Sequence, residues 1–198
     1  MRRITVFSVI LLCLATGSAL AGTITGRLGL TGKAGVAVPI NDSDIKGASF
    51  ETDPGFAGGG GLIYGFSDHL AGELDVTHAP ALDAKVVGTK AGEAQFTDIS
   101  VGVQYRFMPE RALVPYLGGG VDAIKGDIEN STLDWTVGGH ANVGMDYFLN
   151  KSIALTMDFR GIVAAKSDIK QSGITVGKFD PTSFVATVGI RLFLPERW

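Results

Sequence analysis

From Trp135 to Tyr147 every second residue is apolar or glycine: Trp135, Val137, Gly139, Ala141, Val143, Met145, Tyr147. Between them lie Thr136, Gly138, His140, Asn142, Gly144 and Asp146, all polar or small. After a turn at residues 149–152 the pattern resumes. Ile153, Leu155, Met157, Phe159, Gly161 and Val163 form one face, with Thr156, Asp158 and Arg160 on the other. Period-two alternation builds strands with one apolar face. A soluble strand averages about 5–6 residues, whereas a tilted strand crossing a bilayer needs roughly 9–11. These two segments have the longer reach.

The same alternation recurs in residues 27–38, 56–66, 70–77, 96–107, 113–124 and 183–194, which predicts eight strands in all. The connections alternate in length. Long ones are expected at 39–55, 78–94, 125–133 and 166–181, and short turns at 67–69, 108–111 and 149–152. Strand parity and loop order together predict an all-β fold, an eight-stranded antiparallel up-and-down transmembrane β-barrel. Closure removes the unpaired sheet edges that otherwise aggregate. In lipid, only helices and closed barrels satisfy every backbone group, and no segment after the leader reaches the ~18 apolar residues a helical span requires. The outward aromatics at the short-turn end, Tyr64, Phe66, Tyr105, Phe107 and Tyr147, are expected to form an interfacial girdle. At the loop end Phe56, Trp135 and Phe184 keep the same outward parity.

Composition narrows the class further. The chain opens Met1-Arg2-Arg3, runs apolar from Ile4 to Leu14 and reaches Ala19-Leu20-Ala21. A basic start, a short apolar core and an A-x-A site predict a signal peptide over residues 1–21, with the barrel at 22–198. Cys13, the single cysteine, lies inside that leader, so the exported chain is expected to lack disulfides and cysteine chemistry. Arg2 and Arg3 leave with the leader, so 17 basic residues become 15 against 20 acidic ones. That balance offers no footprint for nucleic acid. The expected location of the exported chain is the bacterial outer membrane.

Inward parity collects Arg27, Lys33, Arg106, Arg160 and Arg191 against Glu73, Asp75, Asp98, Asp122, Asp146 and Asp158. Buried charges persist only when paired and hydrogen-bonded, so these residues are expected to form a lumen ion-pair network, either a gate or a polar plug. Eight strands leave an interior that side chains just fill. Catalysis is not expected. Glu73 and Asp75 face a lumen rich in arginine, and His140 has only Ala141 and Asn142 beside it, with no serine nucleophile. No metal site or cofactor is expected. Asp42-Ser43-Asp44-Ile45-Lys46-Gly47 with Asp53 departs from a calcium loop at the lysine and at the missing bidentate glutamate. Inward glycines such as Gly102, Gly118, Gly120 and Gly144 remove side chains from the lumen; they leave a cavity or allow tight coiling.

Val114-Pro115-Tyr116-Leu117-Gly118-Gly119-Gly120-Val121, followed by Gly139-His140-Ala141-Asn142-Val143-Gly144-Met145-Asp146-Tyr147, resembles the OmpW and OmpA-like eight-stranded outer-membrane barrels. Those barrels commonly end on a strand closed by phenylalanine; here Pro195-Glu196-Arg197-Trp198 follows the last strand. The resemblance implies a narrow channel or binding barrel for small apolar or amphipathic solutes, with outer-membrane lipid, lipopolysaccharide, the outer-membrane assembly machinery and a small apolar ligand as partners. The alternative it leaves is a structural or adhesive surface barrel with a plugged lumen. A solute is expected to leave either past Arg106, Asp146 and Arg191 or sideways, where lipid-facing Gly119, Gly139 and Gly161 mark a thin strip.

Overall fold

The computed structural model describes residues 23–40, 43–45, 48–86, 89–128, 131–133, 135–171 and 174–194. The leader at 1–21, the terminal Pro195–Trp198 segment, and Asp42, Lys46 and Gly47 of the calcium-like stretch lie outside the described residues. Thirteen strands follow in chain order: β1 (Leu28–Pro39), β2 (Ser43–Ile45), β3 (Ala48–Thr52), β4 (Gly55–Gly65), β5 (Leu70–Val86), β6 (Thr89–Arg106), β7 (Leu113–Ile128), β8 (Ser131–Leu133), β9 (Thr136–Phe148), β10 (Ile153–Ala164), β11 (Ser167–Gln171), β12 (Ile174–Phe179) and β13 (Ser183–Phe193). No helix among the described residues is long and apolar enough to cross a membrane.

Eight of these strands close a ring in the order β1-β4-β5-β6-β7-β9-β10-β13, and β13 returns to β1 through an antiparallel ladder from Gly29↔Phe193 to Pro39↔Ser183. Every pair in the ring is antiparallel. Beyond it the wall continues. The upper parts of β5 and β7 pair with β3 and β8, and β8, β11, β12, β2 and β3 join in sequence. The upper order β12-β2-β3-β5-β6-β7-β8-β11 repeats the lower one strand for strand. Each short strand is the continuation of a membrane strand across a break of two or three residues, at 40–42, 53–54, 134–135, 165–166 and 180–182. Three strands, β5, β6 and β7, run through uninterrupted with 17, 18 and 16 residues.

The protein is therefore one tall eight-stranded barrel, and the segments expected as long loops are largely strand. Residues 78–94 correct the expectation most: β5 reaches Val86 and β6 begins at Thr89. The reason is solvent. A strand in the membrane has hydrocarbon on its outer face, so every second residue must be apolar. Once the strand leaves the bilayer that demand stops, and the alternation fades while backbone pairing persists. Prolines mark the transition. Pro54 and Pro181 stand in breaks. Pro80 sits at the bulge where the β5–β6 register shifts between Ala79 and Leu82, a place where a missing N–H is tolerated.

Within the membrane ring the two faces separate cleanly. Leu30, Val36, Leu62, Leu74, Val101, Val103, Leu117, Val121, Val143, Val188 and Ile190 are exposed, while their neighbours Thr31, Ala37, Ile63, Asp75, Ser100, Gln104, Tyr116, Asp122, Asn142 and Arg191 are buried. An apolar band of this extent is stable against lipid and unstable against water. Tyr64, Phe66, Tyr105 and Phe107 project from the outer wall at the short-turn end, and Tyr147 lies half-buried beside them. Tyr64 meets Phe66 edge-on at 5.4 Å, and Tyr105 meets Phe107 edge-on at 5.0 Å.

Depth on this wall sets the cost of an outward charge. Val143 lies mid-strand and Val137 near the loop end of β9. Val143→Arg should destabilise the barrel by about 2–4 kcal/mol and Val137→Arg by about 0–1 kcal/mol, measured by urea titration in lipid vesicles. Equal losses at the two positions contradict the placement of β9 in the bilayer.

Candidate functional site

The interior is stacked in three layers. At the short-turn end Ile24, Ile63, Ala71, Val114, Phe148, Ala154 and Phe193 form a buried apolar cluster. At the loop end Ala37, Ala57, Ala79, Leu82, Phe96, Ile124, Ile162 and Val185 form another, with Ala164 against it. Between them lie the charges. Apolar material above and below withholds water, so each ion in the middle layer depends on its protein partners.

Asp146 is the hub. Its Oδ2 accepts from Arg106 Nη1 at 2.7 Å and from Arg191 Nη1 at 2.8 Å. Arg191 also reaches Glu73 Oε1 at 3.2 Å and Thr31 Oγ1 at 3.1 Å. Gln104 donates to Glu73 Oε2 at 2.6 Å. One layer up, Asp75 is held by Lys33 at 2.9 Å and by Arg160 at 3.3 Å, and Arg160 donates to Ser100 Oγ at 2.8 Å. Asp158 lies 3.8 Å from Arg160 Nε and accepts from Asn142 at 2.7 Å and from Tyr116 at 3.0 Å. Three guanidinium–ring contacts accompany these pairs, two of them on the short-turn cluster: Arg106 over Phe148 at 5.9 Å, Arg191 over Tyr116 at 5.8 Å and Arg27 over Phe193 at 5.5 Å.

The structure sets Arg27 apart from the other ten charged residues. It sits where β1 begins, at the short-turn mouth, and donates to the backbone carbonyls of Thr23, Lys151, Phe193 and Leu194. It staples chain ends that have run out of ladder partners. Parity gave its direction and not its depth. The neutral partners Gln104, Asn142, Tyr116, Ser100 and Thr31 escaped a reading built on charge. Their signal was the inward parity they share with the arginines they serve.

The inward glycines are roofed by neighbours. His140 pairs with Gly120, which pairs with Gly102. The imidazole lies across both: a Cβ at Gly120 would stand 2.8 Å from His140 Cε1, and one at Gly102 would stand 3.1 Å from Nε2. A Cβ at Gly144 would fall on the Tyr116 ring. These glycines admit large neighbours, so they fill the lumen. His140 Nδ1 bonds Asp122 Oδ1 at 2.7 Å. Nearby, Asp98 is 1 % exposed, its Oδ2 stands 4.0 Å from Arg160, and neither of its oxygens has a hydrogen-bond partner.

The ladder of the wall is interrupted between β4 and β5. The β4–β5 ladder runs from Gly65↔Ala71 to Gly58↔His78 and resumes as β3–β5 at Thr52↔Ala84. Residues 53–57 and 79–83 fall outside it, the longest interruption between adjacent strands among the described residues. Ala57 and Ala79 face inward at this gap and belong to the upper apolar cluster. Phe56 and Pro80 face outward. By contrast, Gly119, Gly139 and Gly161 lie within paired ladders, Gly119↔Ala141, Val121↔Gly139 and Gly161↔Ala141, so the wall is closed where the sequence suggested an exit.

Asp146→Asn leaves two guanidinium groups facing each other without a full carboxylate. It should cost about 3–5 kcal/mol, read by urea unfolding in lipid vesicles. A variant as stable as the parent removes Asp146 from the centre of the network.

A family model described as the outer membrane protein beta-barrel domain matches residues 7–191. A curated relative, an uncharacterized outer-membrane protein y4mB of Sinorhizobium fredii (strain NBRC 101917 / NGR234), is 29 % identical over 110 residues. That match covers 51 % of this chain and 48 % of the relative, about half its length. Among solved structures, the outer membrane protein OprG from Pseudomonas aeruginosa superposes with a TM-score of 0.69 at 20 % identity, over 88 % of this chain and 99 % of that one. Neisserial surface protein A gives 0.59 at 16 % identity, covering 85 % and 97 %. AlkL in lipid bilayers gives 0.55 at 21 % identity, covering 90 % and 94 %. At these identities the structural likeness speaks for the fold, and the family match speaks for descent. The chain belongs to the outer membrane protein beta-barrel domain family and is a bacterial outer-membrane barrel.

Proposed function

We propose that this barrel admits small apolar or amphipathic solutes from the outside and releases them sideways into the outer membrane. The observation that carries this reading is the interruption of the β4–β5 ladder, which lies at the level of the upper apolar cluster, beside Ala57 and Ala79. Two supports accompany it. The axial way down meets the ion-pair layer and then a second apolar layer, so a solute that reaches the loop-end cluster has the gap as its shortest way out. Small alanines at the gap, with Phe56 and Pro80 on the lipid side, form an apolar threshold at 56–57 and 79–80. Such a threshold suits a molecule with little hydrogen bonding to lose.

The same filled lumen favours a second reading, a structural or adhesive barrel. The two readings separate at the gap. With cysteines replacing Ala57 and Ala79, a short bifunctional reagent should lower uptake of the fluorescent apolar probe N-phenylnaphthylamine by outer-membrane vesicles at least several-fold. The unlinked variant should behave as the parent. Uptake that is unchanged by the cross-link, or no faster with the protein than without it, favours the structural barrel.

A further inference from the structure

The chain does not enter β1 in a straight line. Leu28 pairs antiparallel with Tyr64 on β4, yet three residues earlier Thr25 bridges Gly65 in parallel. The direction reverses between them, and a tight turn reverses it. Arg27 N–H donates to the Ile24 carbonyl at 2.9 Å, and Gly26 has φ +70°. Positive φ at the third position of such a turn calls for glycine. The reversal carries Ile24 back under the barrel. It is wholly buried there, in one cluster with Ile63, Ala71, Val114, Phe148 and Phe193. Gly65 makes room for it, since a Cβ there would fall on the Ile24 carbonyl.

One member of the lower apolar layer therefore comes from outside the strand wall. It is carried by a strap, residues 23–25, lying across the short-turn mouth. In outer-membrane barrels that mouth faces the periplasm. The strap is lightly tied. Thr25 donates to Asp68 Oδ1 from its hydroxyl at 2.6 Å and from its backbone N–H at 3.3 Å, and both bonds are exposed. The Thr23 carbonyl accepts from Arg27 Nη1 at 3.3 Å. Exposed hydrogen bonds exchange with water at small net cost. A single bridge also holds far less than the ladders on either side of β1. Arg27 is different. It is fixed to the Lys151 carbonyl at 2.6 Å, to Leu194 at 3.0 Å and to Phe193 at 3.3 Å. Gly26 is thus the joint between a firm post and a loosely held arm. Segments with few buried contacts and exposed hydrogen bonds open while the rest of a fold stays closed.

We propose that residues 23–25 form a hinged stopper, which swings about Gly26 and uncovers the lower apolar layer to the periplasm while the ring stays folded. The ion-pair layer and the loop-end cluster stay closed above it, so the swing opens no path for ions. The stopper stands independently of the sideways route.

The test uses the exported protein in lipid nanodiscs, where both mouths meet solvent, with Ala71→Cys as its sole thiol. Ala71 pairs with Gly65 and is buried beside the strap. Ile162→Cys, in the loop-end cluster, is the control. Each protein meets a small cationic methanethiosulfonate, and labelling is followed by mass spectrometry across a urea series. Without urea the thiol at position 71 should react at least tenfold faster than the one at 162. Its rate should stay flat in urea below the unfolding transition, because a swing of three residues exposes little surface. The rate at 162 should climb with urea, because reaching it needs the barrel to unfold. Asp68→Ala, which removes a tie, should speed the reaction at 71 at least threefold. Gly26→Val should speed it at least tenfold, since a β-branched residue does not hold that φ. Ala154→Cys, in the same cluster, serves where Ala71→Cys does not fold. Three results overturn the stopper: equal rates at 71 and 162, a rate at 71 that climbs with urea as steeply as at 162, or a rate indifferent to both strap substitutions. Ile24 is then a fixed part of the core.

Discussion

A chain that crosses hydrocarbon with strands must pair every backbone N–H and C=O with its own neighbours, and this barrel meets that constraint by closing. The ladder between β1 and β13, eleven pairs from Gly29↔Phe193 to Pro39↔Ser183, is the seam on which closure depends. Closure then creates a second constraint inside. With the wall shut and apolar side chains filling both ends, the polar interior has no water to rely on. Asp146 shared between Arg106 and Arg191 is the direct answer, one buried carboxylate satisfying two guanidinium groups. Tyr116, Asn142 and Gln104 supply the hydrogen bonds that charges alone leave unmet.

Two regions escape these constraints, and both lie at the loop end. In the wall, the β4–β5 ladder lapses between Gly58↔His78 and Thr52↔Ala84, at the loop-end rim of the apolar band. In the interior, Asp98 keeps an unsatisfied carboxylate next to the apolar layer that faces this lapse. A barrel optimised only for stability would carry neither.

The membrane strands were legible because lipid writes on the sequence. Outward positions such as Val101, Val103, Leu117 and Val143 must be apolar, so parity is visible along 135–147 and 153–163 and in the six other segments. The extensions of β5 to Val86 and β6 from Thr89 were not legible, because water outside the bilayer imposes no such alternation. The inward charges were legible in direction. Their partnerships were not, since Asp146 meets Arg106 and Arg191 across strands far apart in sequence. The roofed glycines were hidden for the same reason. That His140 covers Gly120 and Gly102 follows from cross-strand register, which spacing along one strand does not contain. Likewise the gap at 53–57 and 79–83 is a property of pairing, with Pro54 and Pro80 as its only trace in the chain.

The central claim is that three stacked layers seal the lumen along its axis. Ionic conductance through the purified protein in a planar bilayer tests this most directly. The account predicts no steady ohmic current above the bare bilayer in the wild type, because ions meet two apolar layers with an ion-pair layer packed between them. A stable conductance that scales with protein insertion would contradict it.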